Sequence, residues 1–237
     1  MHKHTKIIAT ISDKRCDVAF LEQLFKAGMN VVRLNSAHLD EDGFLKIIRN
    51  VREVSERIAI LVDTKGPEIR TTVAENPIKL KTGDKIKIVG NSAGVSTNDS
   101  ICITYNNIAG EMREGDDILI DDGEIDLQVL EVKTDHLLCR VMNDGIIGSR
   151  KSVNIPGVRI NLPAITDRDR KFIALAEKHE VDFIAHSFVR NREDVLAVQD
   201  ILDELKSPIK IIAKIENQEG VDNADEILEV AYGIMVA

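Results

Sequence analysis

Short runs of β-branched and other apolar residues recur along the chain, and polar residues follow several of them. Most of these runs start about 25 residues apart, and apolar stripes with helical periodicity fill the gaps, as from Phe44 to Val54 and from Val195 to Leu205. Strand and helix alternating at this interval predict βαβ units and a parallel sheet. The six runs are KIIATI from Lys6, NVVRLN from Asn30, AILVD from Ala59, DFIAHSFV from Asp182, IKIIAKIE from Ile209 and GIMVA from Gly233.

One gap between these runs is much longer than the others. On the order of 120 residues separate Ala59 from Asp182. Nine of the 14 glycines lie within residues 67–160, between short strand-like runs such as DKIKIVG and EIDLQVLEV. This pattern predicts an inserted all-β domain. We therefore predict a first part of the α/β domain at 1–66, the insertion at 67–160, and the continuation of the α/β domain at 161–237.

Composition and charge narrow the classes of protein. The net charge is −9, with 31 basic and 40 acidic residues, and aromatic residues make up only 3% of the chain. Because binding to a phosphate backbone requires a basic surface, we expect no nucleic-acid partner. The chain has no apolar run long enough to cross a membrane and no signal-peptide pattern, so we expect no membrane and a cytoplasmic location. Three widely spaced cysteines without a CxxC motif fit the same reducing compartment.

Three of the predicted parallel strands end in a pair of polar residues two positions apart. They are Arg33 with Asn35, Asp63 with Lys65, and Lys214 with Glu216. Residues two apart on a strand face the same side, and ligands of parallel α/β folds bind at the carboxyl ends of the strands. Each pair could be an isolated structural ion pair, but three in register favour one shared polar site.

These residue types indicate chemistry on an anionic substrate. Lysine and arginine stabilise phosphoryl oxygens, and carboxylates hold a hard divalent cation. The chain contains neither GxxxxGK[ST] nor GxGxxG. His186 and Ser187 are adjacent, but neighbours on a strand face opposite sides, so a Ser–His nucleophile is disfavoured.

At this level of detail the sequence resembles the pyruvate kinases over essentially its whole length. The motifs that carry the resemblance are GMNVVRLN, DTKGPEIRT, LIDDGEIDLQV, VNIPGVRINLPAIT, KIENQEG and GIMVA. The resemblance implies an α/β fold, a partial (β/α)8 TIM barrel with about six of eight strands, interrupted after strand 3 by a small all-β barrel domain that acts as a lid. It also implies a glycolytic enzyme that converts phosphoenolpyruvate and ADP to pyruvate and ATP, with Mg²⁺ (or Mn²⁺) and K⁺ as cofactors. The full-length family forms homo-oligomers, typically tetramers.

The same resemblance implies roles for individual residues. Lys214 is expected to stabilise the phosphoryl group in flight, Arg33 to contact the same group, and Glu216 to bind the divalent cation. On the nucleotide side the expected residues are Arg70 and, on the lid, Arg150 and Lys151; a solvated surface pair is an equal alternative for the last two. The expected monovalent-cation ligands are Asn35, Asp63 and Thr64, with Glu68 as the residue type of potassium-dependent members.

Two departures from the family pattern affect these expectations. Ala37 stands where the family has a serine ligand for the monovalent cation, and Ser36 is expected to face away, so we expect weakened or rearranged potassium binding. The chain ends at GIMVA, before the family's Arg-Gly-Asp-Leu-Gly stretch, so we expect an amino-terminal piece with an incomplete site. Two alternatives stay open: a non-catalytic nucleotide-binding module, and a Mg²⁺-dependent aldolase-type barrel acting on pyruvate.

Overall fold

The computed structural model describes residues 5–158 and 160–236. These residues form two compact units, one made of the chain up to Pro67 and from Pro163 onward, the other of Glu68–Leu162. The sequence predicts the insertion at 67–160, and the second unit of the structure is Glu68–Leu162.

The strands of both units are short. In chain order they are β1 (Ile8–Thr10), β2 (Val31–Asn35), β3 (Ala59–Asp63), β4 (Ile69–Arg70), β5 (Ile78–Leu80), β6 (Lys85–Gly90), β7 (Ser100–Ile103), β8 (Asp117–Ile120), β9 (Ile125–Val132), β10 (Leu137–Val141), β11 (Gly145–Ile147), β12 (Ser152–Asn154), β13 (Phe183–His186), β14 (Lys210–Ile215) and β15 (Gly233–Val236).

The helices lie between these strands. They are α1 (Val18–Lys26), α2 (Glu41–Val54), α3 (Ile108–Glu111), α4 (Asp167–Lys178), α5 (Arg192–Glu204), α6 (Gln218–Asp222) and α7 (Ala224–Val230). None of the helices in the described residues is long and apolar enough to cross a membrane.

The first unit is built on a parallel sheet. Its strand order is β1-β2-β3-β13-β14-β15, so the six strands are those predicted from the apolar runs. The insertion β4–β12 follows the third of them, which confirms the predicted fold class. Ala237, the last residue of the predicted sixth strand, lies outside the described residues.

Helices cover one face of this sheet. The apolar stripe of α2, including Phe44 and Ile47, is buried against the strands, and the Phe44 ring meets Phe172 of α4 edge-on at 5.2 Å between centroids. The predicted capping box at the start of α4 is present, with Thr166 and Asp169 exchanging side-chain to backbone hydrogen bonds.

The opposite face of the sheet carries a small apolar cluster beneath a polar layer. The cluster contains Val31, Leu61 and Ala185, with Ile212 packed against it. Because side chains of a strand alternate in direction, the residues two positions further along each strand point to the same side. The polar layer therefore lies at the carboxyl ends of β2, β3, β13 and β14.

The second unit is mostly antiparallel. Its seven-stranded sheet has the order β4-β12-β8-β9-β10-β6-β7, and a bridge between Thr71 and Ile103 joins its two edges, so that the sheet is nearly closed. Strands β5 and β11 form a separate pair. Residues alternating along the strands fill the interior, among them Ile86, Ile88 and Leu127, which are almost completely buried.

Candidate active site

The carboxylate of Asp63 holds two cationic side chains at the end of β3. Arg33 Nε donates to Asp63 Oδ2 at 2.7 Å, and Arg33 Nη2 forms an ion pair with the same oxygen. Lys214 Nζ donates to Asp63 Oδ1 at 3.1 Å. The side chain of Asp63 is 2% exposed and that of Lys214 is 9% exposed, so these two form a buried ion pair, while the Arg33 side chain is 29% exposed.

Glu216 provides the second carboxylate of the cluster. Its Oε1 lies 3.2 Å from Lys214 Nζ, although β14 ends at Ile215, one residue before Glu216. Its Oε2 accepts a hydrogen bond of 2.9 Å from the backbone N–H of Phe188. With Arg33 and Asp63, the four side chains carry two positive and two negative formal charges, which lets them share a nearly buried site.

The segment after β13 is strained where it meets Glu216. Phe188 has φ 57°, a left-handed conformation that is unusual for an aromatic residue, and this conformation aims its N–H at the carboxylate. The opposing turn has Gly66 with φ 68°, where a Cβ would lie 2.9 Å from both the Phe188 ring and the Ser187 Cβ. Glycine at position 66 allows the close approach of the two segments.

Ser187 also belongs to the cluster, although no role is predicted for it from the sequence. Its hydroxyl accepts from Lys214 Nζ at 2.9 Å and donates to the Thr64 carbonyl at 2.6 Å. The signal was present in the sequence, because Ser187 is two positions beyond inward-facing Ala185, in phase with Lys214 and Asp63.

His186 takes no part in a nucleophilic pair with Ser187. Its Nδ1 lies 3.4 Å from Thr64 Oγ1, and its Nε2 has no hydrogen-bond partner among the described residues. Burial lowers the pKa of His186 to about 4, so the ring is neutral near pH 7. The expectation that the two neighbours face different surroundings agrees with these contacts.

Lys65 is the one member of the three strand-end pairs that does not join the cluster. Its side chain is exposed, and its backbone N–H donates to Asp169 at 2.9 Å. Strand β3 ends at Asp63, so the alternation of directions no longer applies two residues later. The predicted shared site therefore contains at most five of the six paired residues. The fifth, Asn35, is included because it lies beside Asp63 in the register of β2 and β3.

Arg70 and Lys151 lie together in the second unit. Arg70 pairs with Glu68, and its Nη1 donates to the Arg150 carbonyl at 2.8 Å. The segment of Lys151 is held to β4 because the Lys151 N–H donates to Thr71 Oγ1 at 2.8 Å. These hydrogen bonds fix the backbone that carries both basic residues of the predicted nucleotide side.

An ion pair with Asp121 also restricts the side chain of Lys151. Its Nζ lies 2.6 Å from Asp121 Oδ2, and both side chains are about one-third exposed, at 36% and 31%. A nucleotide phosphate that recruits Lys151 must therefore compete with this carboxylate.

Comparison with known proteins identifies the family. The family model described as pyruvate kinase, barrel domain, matches residues 2–237. The chain belongs to the pyruvate kinase family. The pyruvate kinase of Borreliella burgdorferi is 48% identical over 99% of this chain, and that of Geobacillus stearothermophilus is 44% identical over 100%. A crystal structure of a pyruvate kinase from Cryptosporidium parvum superimposes with a TM-score of 0.92 at 40% identity, over 98% of this chain.

The match covers only part of each relative. The chain spans 49% of the Borreliella protein, 42% of the Geobacillus protein and 50% of the Cryptosporidium chain.

The pyruvate kinase family implies a divalent cation, and Glu216 fits the role of a ligand in a shared site. Its side chain is 17% exposed, so one edge reaches solvent. The described residues contain no group of three or more His, Cys, Asp or Glu side chains that could enclose a metal ion. Mg²⁺ is commonly bound through one or two carboxylates together with substrate phosphates. Glu216 therefore fits a cation that arrives with its substrate.

The predicted monovalent-cation ligands fit less well as they are arranged. Both oxygens of Asp63 bind cationic side chains, the Thr64 carbonyl accepts from Ser187, and Asn35 Oδ1 accepts from the Ala37 N–H at 3.0 Å. A carboxylate has about four acceptor positions, and Arg33 and Lys214 take three of them, which leaves about one. A potassium ion at Asp63 would therefore share this carboxylate with two cationic side chains.

Ser36 does not replace the missing serine ligand. Its side chain is fully buried, and its Oγ has no hydrogen-bond partner among the described residues. It faces away from the cluster, as expected from its position next to Asn35.

Proposed function

We propose that this chain carries the phosphoryl-transfer half of a pyruvate kinase site, for the reaction of phosphoenolpyruvate and ADP to pyruvate and ATP. The observation that carries the proposal is the cluster in which Lys214 and Arg33 are held on Asp63 beside Glu216, at the carboxyl ends of parallel strands. Phosphoryl transfer requires positioning and charge neutralisation rather than a covalent nucleophile, and this cluster provides both without one.

Each residue of the cluster has a role that follows from its contacts. The transferred phosphoryl group leaves the enol oxygen of phosphoenolpyruvate and bonds to a terminal oxygen of ADP, while the enolate takes up one proton to become pyruvate. The ammonium of Lys214 stabilises the negative oxygens during transfer, and the guanidinium of Arg33 orients the same group. Both positive charges are prealigned by Asp63, so little reorganisation is needed at the moment of transfer.

The divalent cation, Mg²⁺ or Mn²⁺, belongs to the proposal through Glu216. When bound, such a cation neutralises phosphate charge. Glu216 is held ready because Oε2 accepts from the Phe188 N–H, which orients the carboxylate before any cation arrives. Asn35, Asp63 and Thr64 stay the predicted monovalent-cation ligands, and no step of the transfer is assigned to potassium.

On the nucleotide side, we propose Arg70 and Lys151 as ligands of the ADP or ATP phosphates. The backbone of both is fixed within the second unit, which favours a prealigned phosphate contact. A homo-oligomer of the full-length protein and a place in glycolysis follow from the family and are part of the same proposal.

The test is pyruvate formation from phosphoenolpyruvate and ADP, with Mg²⁺ and K⁺ present, by the chain and by Lys214→Met. Removing one contact to the transition-state charge typically lowers turnover about 10²- to 10³-fold. Lys171→Met is the matched control, because Lys171 pairs with Glu41 on the surface with a 59% exposed side chain, and it should leave the rate unchanged.

The outcomes separate the residue role from the activity. Equal rates for the chain and Lys214→Met would contradict the role of Lys214. No product from a folded chain would contradict the activity of this chain.

A further inference from the structure

The ammonium of Lys214 donates two hydrogen bonds and forms one further ion pair. Its Nζ donates to Asp63 Oδ1 at 3.1 Å and to Ser187 Oγ at 2.9 Å. Glu216 Oε1 lies 3.2 Å from the same nitrogen as an ion-pair partner. An ammonium has three donors and no acceptor, so one N–H remains for a phosphoryl oxygen while Asp63 and Ser187 hold the other two.

The three partners of Lys214 differ in what else they bind. Asp63 is held by Arg33 through two further contacts, so it stays in place. Glu216 makes the longest of the three contacts, and it is also the proposed ligand of the divalent cation. Ser187 makes the shortest contact, and its hydroxyl is held by the Thr64 carbonyl rather than by a charged side chain.

Ser187 is itself fixed in the direction that suits an acceptor. The residue is 2% exposed, its N–H donates to Thr64 Oγ1 at 3.0 Å, and its hydroxyl donates to the Thr64 carbonyl at 2.6 Å. The alternative acceptor for the single hydroxyl proton, Asp63 Oδ1, is farther away at 3.1 Å. With the proton on the Thr64 side, the lone pairs of Ser187 Oγ are free to accept from Lys214.

We propose that Ser187 is a positioning residue for Lys214. It keeps the ammonium at the end of β14 when Glu216 turns to the divalent cation, so that the N–H held by neither Asp63 nor Ser187 is available to the phosphoryl group. The competing interpretation is that Ser187 only ties the segment after β13 to Thr64. The catalytic meaning of the proposal rests on the proposed function, but the contact itself does not.

The experiment measures the side-chain ammonium of Lys214 directly. In protein labelled with ¹⁵N-lysine, the Lys214 signal is assigned by its loss in Lys214→Arg, and its hydrogen exchange is compared between the chain and Ser187→Ala. Loss of one hydrogen bond to a charged group should speed exchange by at least about tenfold. If Ser187→Ala does not fold, Ser187→Cys takes its place, because sulfur is a weak acceptor of similar shape.

Ser96→Ala is the matched control. Ser96 is also 2% exposed, and its hydroxyl contacts the Cys102 N–H at 3.0 Å and Thr72 Oγ1 at 3.1 Å, but no lysine. If the role of Ser187 is purely structural, Ser187→Ala and Ser96→Ala should lose similar amounts of stability. Hydrogen exchange at the Lys214 ammonium should then be the same as in the unaltered chain. The proposal predicts faster exchange at Lys214 in Ser187→Ala alone.

Two results would overturn the proposal. One is an unchanged Lys214 exchange rate in Ser187→Ala, and the other is exchange in the unaltered chain that is too fast for a signal, since the ammonium would then not be held. Neither depends on turnover, so a failed pyruvate assay would contradict the activity of this chain and leave this proposal standing.

Discussion

Replacing Asp63 with asparagine should destabilise the first unit more than replacing either of its cationic partners. The substitution keeps the shape of the side chain but removes the charge that compensates Lys214 and Arg33. Breaking a buried ion pair by removing one partner costs about 3–5 kcal/mol, because the other charge is left uncompensated. Arg33 is 29% exposed and can turn toward water, whereas Lys214 at 9% keeps Glu216 and the neutral hydroxyl of Ser187.

We therefore expect Asp63→Asn to lower the free energy of unfolding by about 3 kcal/mol, a large part of the roughly 5–15 kcal/mol typical of a domain. Lys214→Met should cost less, because Asp63 then retains Arg33 and Glu216 retains the Phe188 N–H. The double variant Asp63→Asn with Lys214→Met should cost less than the sum of the two, since it removes both buried charges together.

Urea unfolding followed by tyrosine fluorescence measures these free energies of unfolding, provided that the tyrosine signal comes from the first unit. The chain has two tyrosines and no tryptophan, so Tyr105→Phe leaves Tyr232 as a reporter in the first unit. Glu22→Gln is the control, because the exposed pair of Glu22 and Lys26 should contribute less than about 1 kcal/mol. An Asp63→Asn variant within about 1 kcal/mol of the unaltered chain would refute the compensation argument.

Three further predictions concern the surroundings of this cluster. The folded chain keeps His186 neutral down to about pH 4, whereas the unfolded chain binds a proton at this residue below about pH 6.5. The free energy of unfolding should therefore fall by up to about 3 kcal/mol between pH 6.5 and 4. The variant His186→Leu should remove this loss. Potassium chloride should raise the melting temperature no more than tetramethylammonium chloride in the unaltered chain, whereas Ala37→Ser, which adds an uncommitted hydroxyl oxygen, should gain a potassium-specific rise in a thermal scan. Gly66→Ala should cost about 2–4 kcal/mol in urea unfolding, since it combines a positive φ with contacts at 2.9 Å.

Each of these has a result that would contradict it. Parallel pH profiles for the chain and His186→Leu would remove the protonation argument, and identical salt responses for the chain and Ala37→Ser would mean that position 37 does not face a cation site. For Gly66→Ala the control is Gly157→Ala, which has φ 73° but nothing within 4 Å of its Cβ. Equal losses in the two glycine variants would show that the contacts with the segment after β13 do not matter.

The sequence predicted the sheet because its inner strands β2, β3, β13 and β14 are largely buried, and all six strands read as apolar runs with helical stripes between them. The convergence of Arg33, Asp63, Lys214 and Glu216 followed from two rules, alternation along a strand and the common edge of parallel strand ends. The alternation is certain only inside a strand. Glu216 follows it although β14 ends at Ile215, whereas Lys65 does not, because the chain turns at Gly66 directly after it.

The contact of Phe188 with Glu216 was beyond these rules for a different reason. Strand β13 ends at His186, and Ser187 still continues its alternation, but Phe188 adopts a left-handed conformation. No local preference predicts φ 57° for phenylalanine; the surrounding structure imposes it. The sequence could indicate which charges meet, but the neutral groups that orient them depend on the folded chain.

The position of Asp63 links the binding of cations to the alignment of the catalytic side chains. By resemblance to the family this carboxylate is a ligand of a monovalent cation, and in the structure it is the counter-ion of both Arg33 and Lys214. These contacts occupy three of its roughly four acceptor positions, so a cation that binds at the remaining one would compete with Arg33 and Lys214 for the same negative charge. Any effect of potassium on this chain should therefore appear first as a change at Arg33 or Lys214, which the ammonium signal of Lys214 can detect without any turnover.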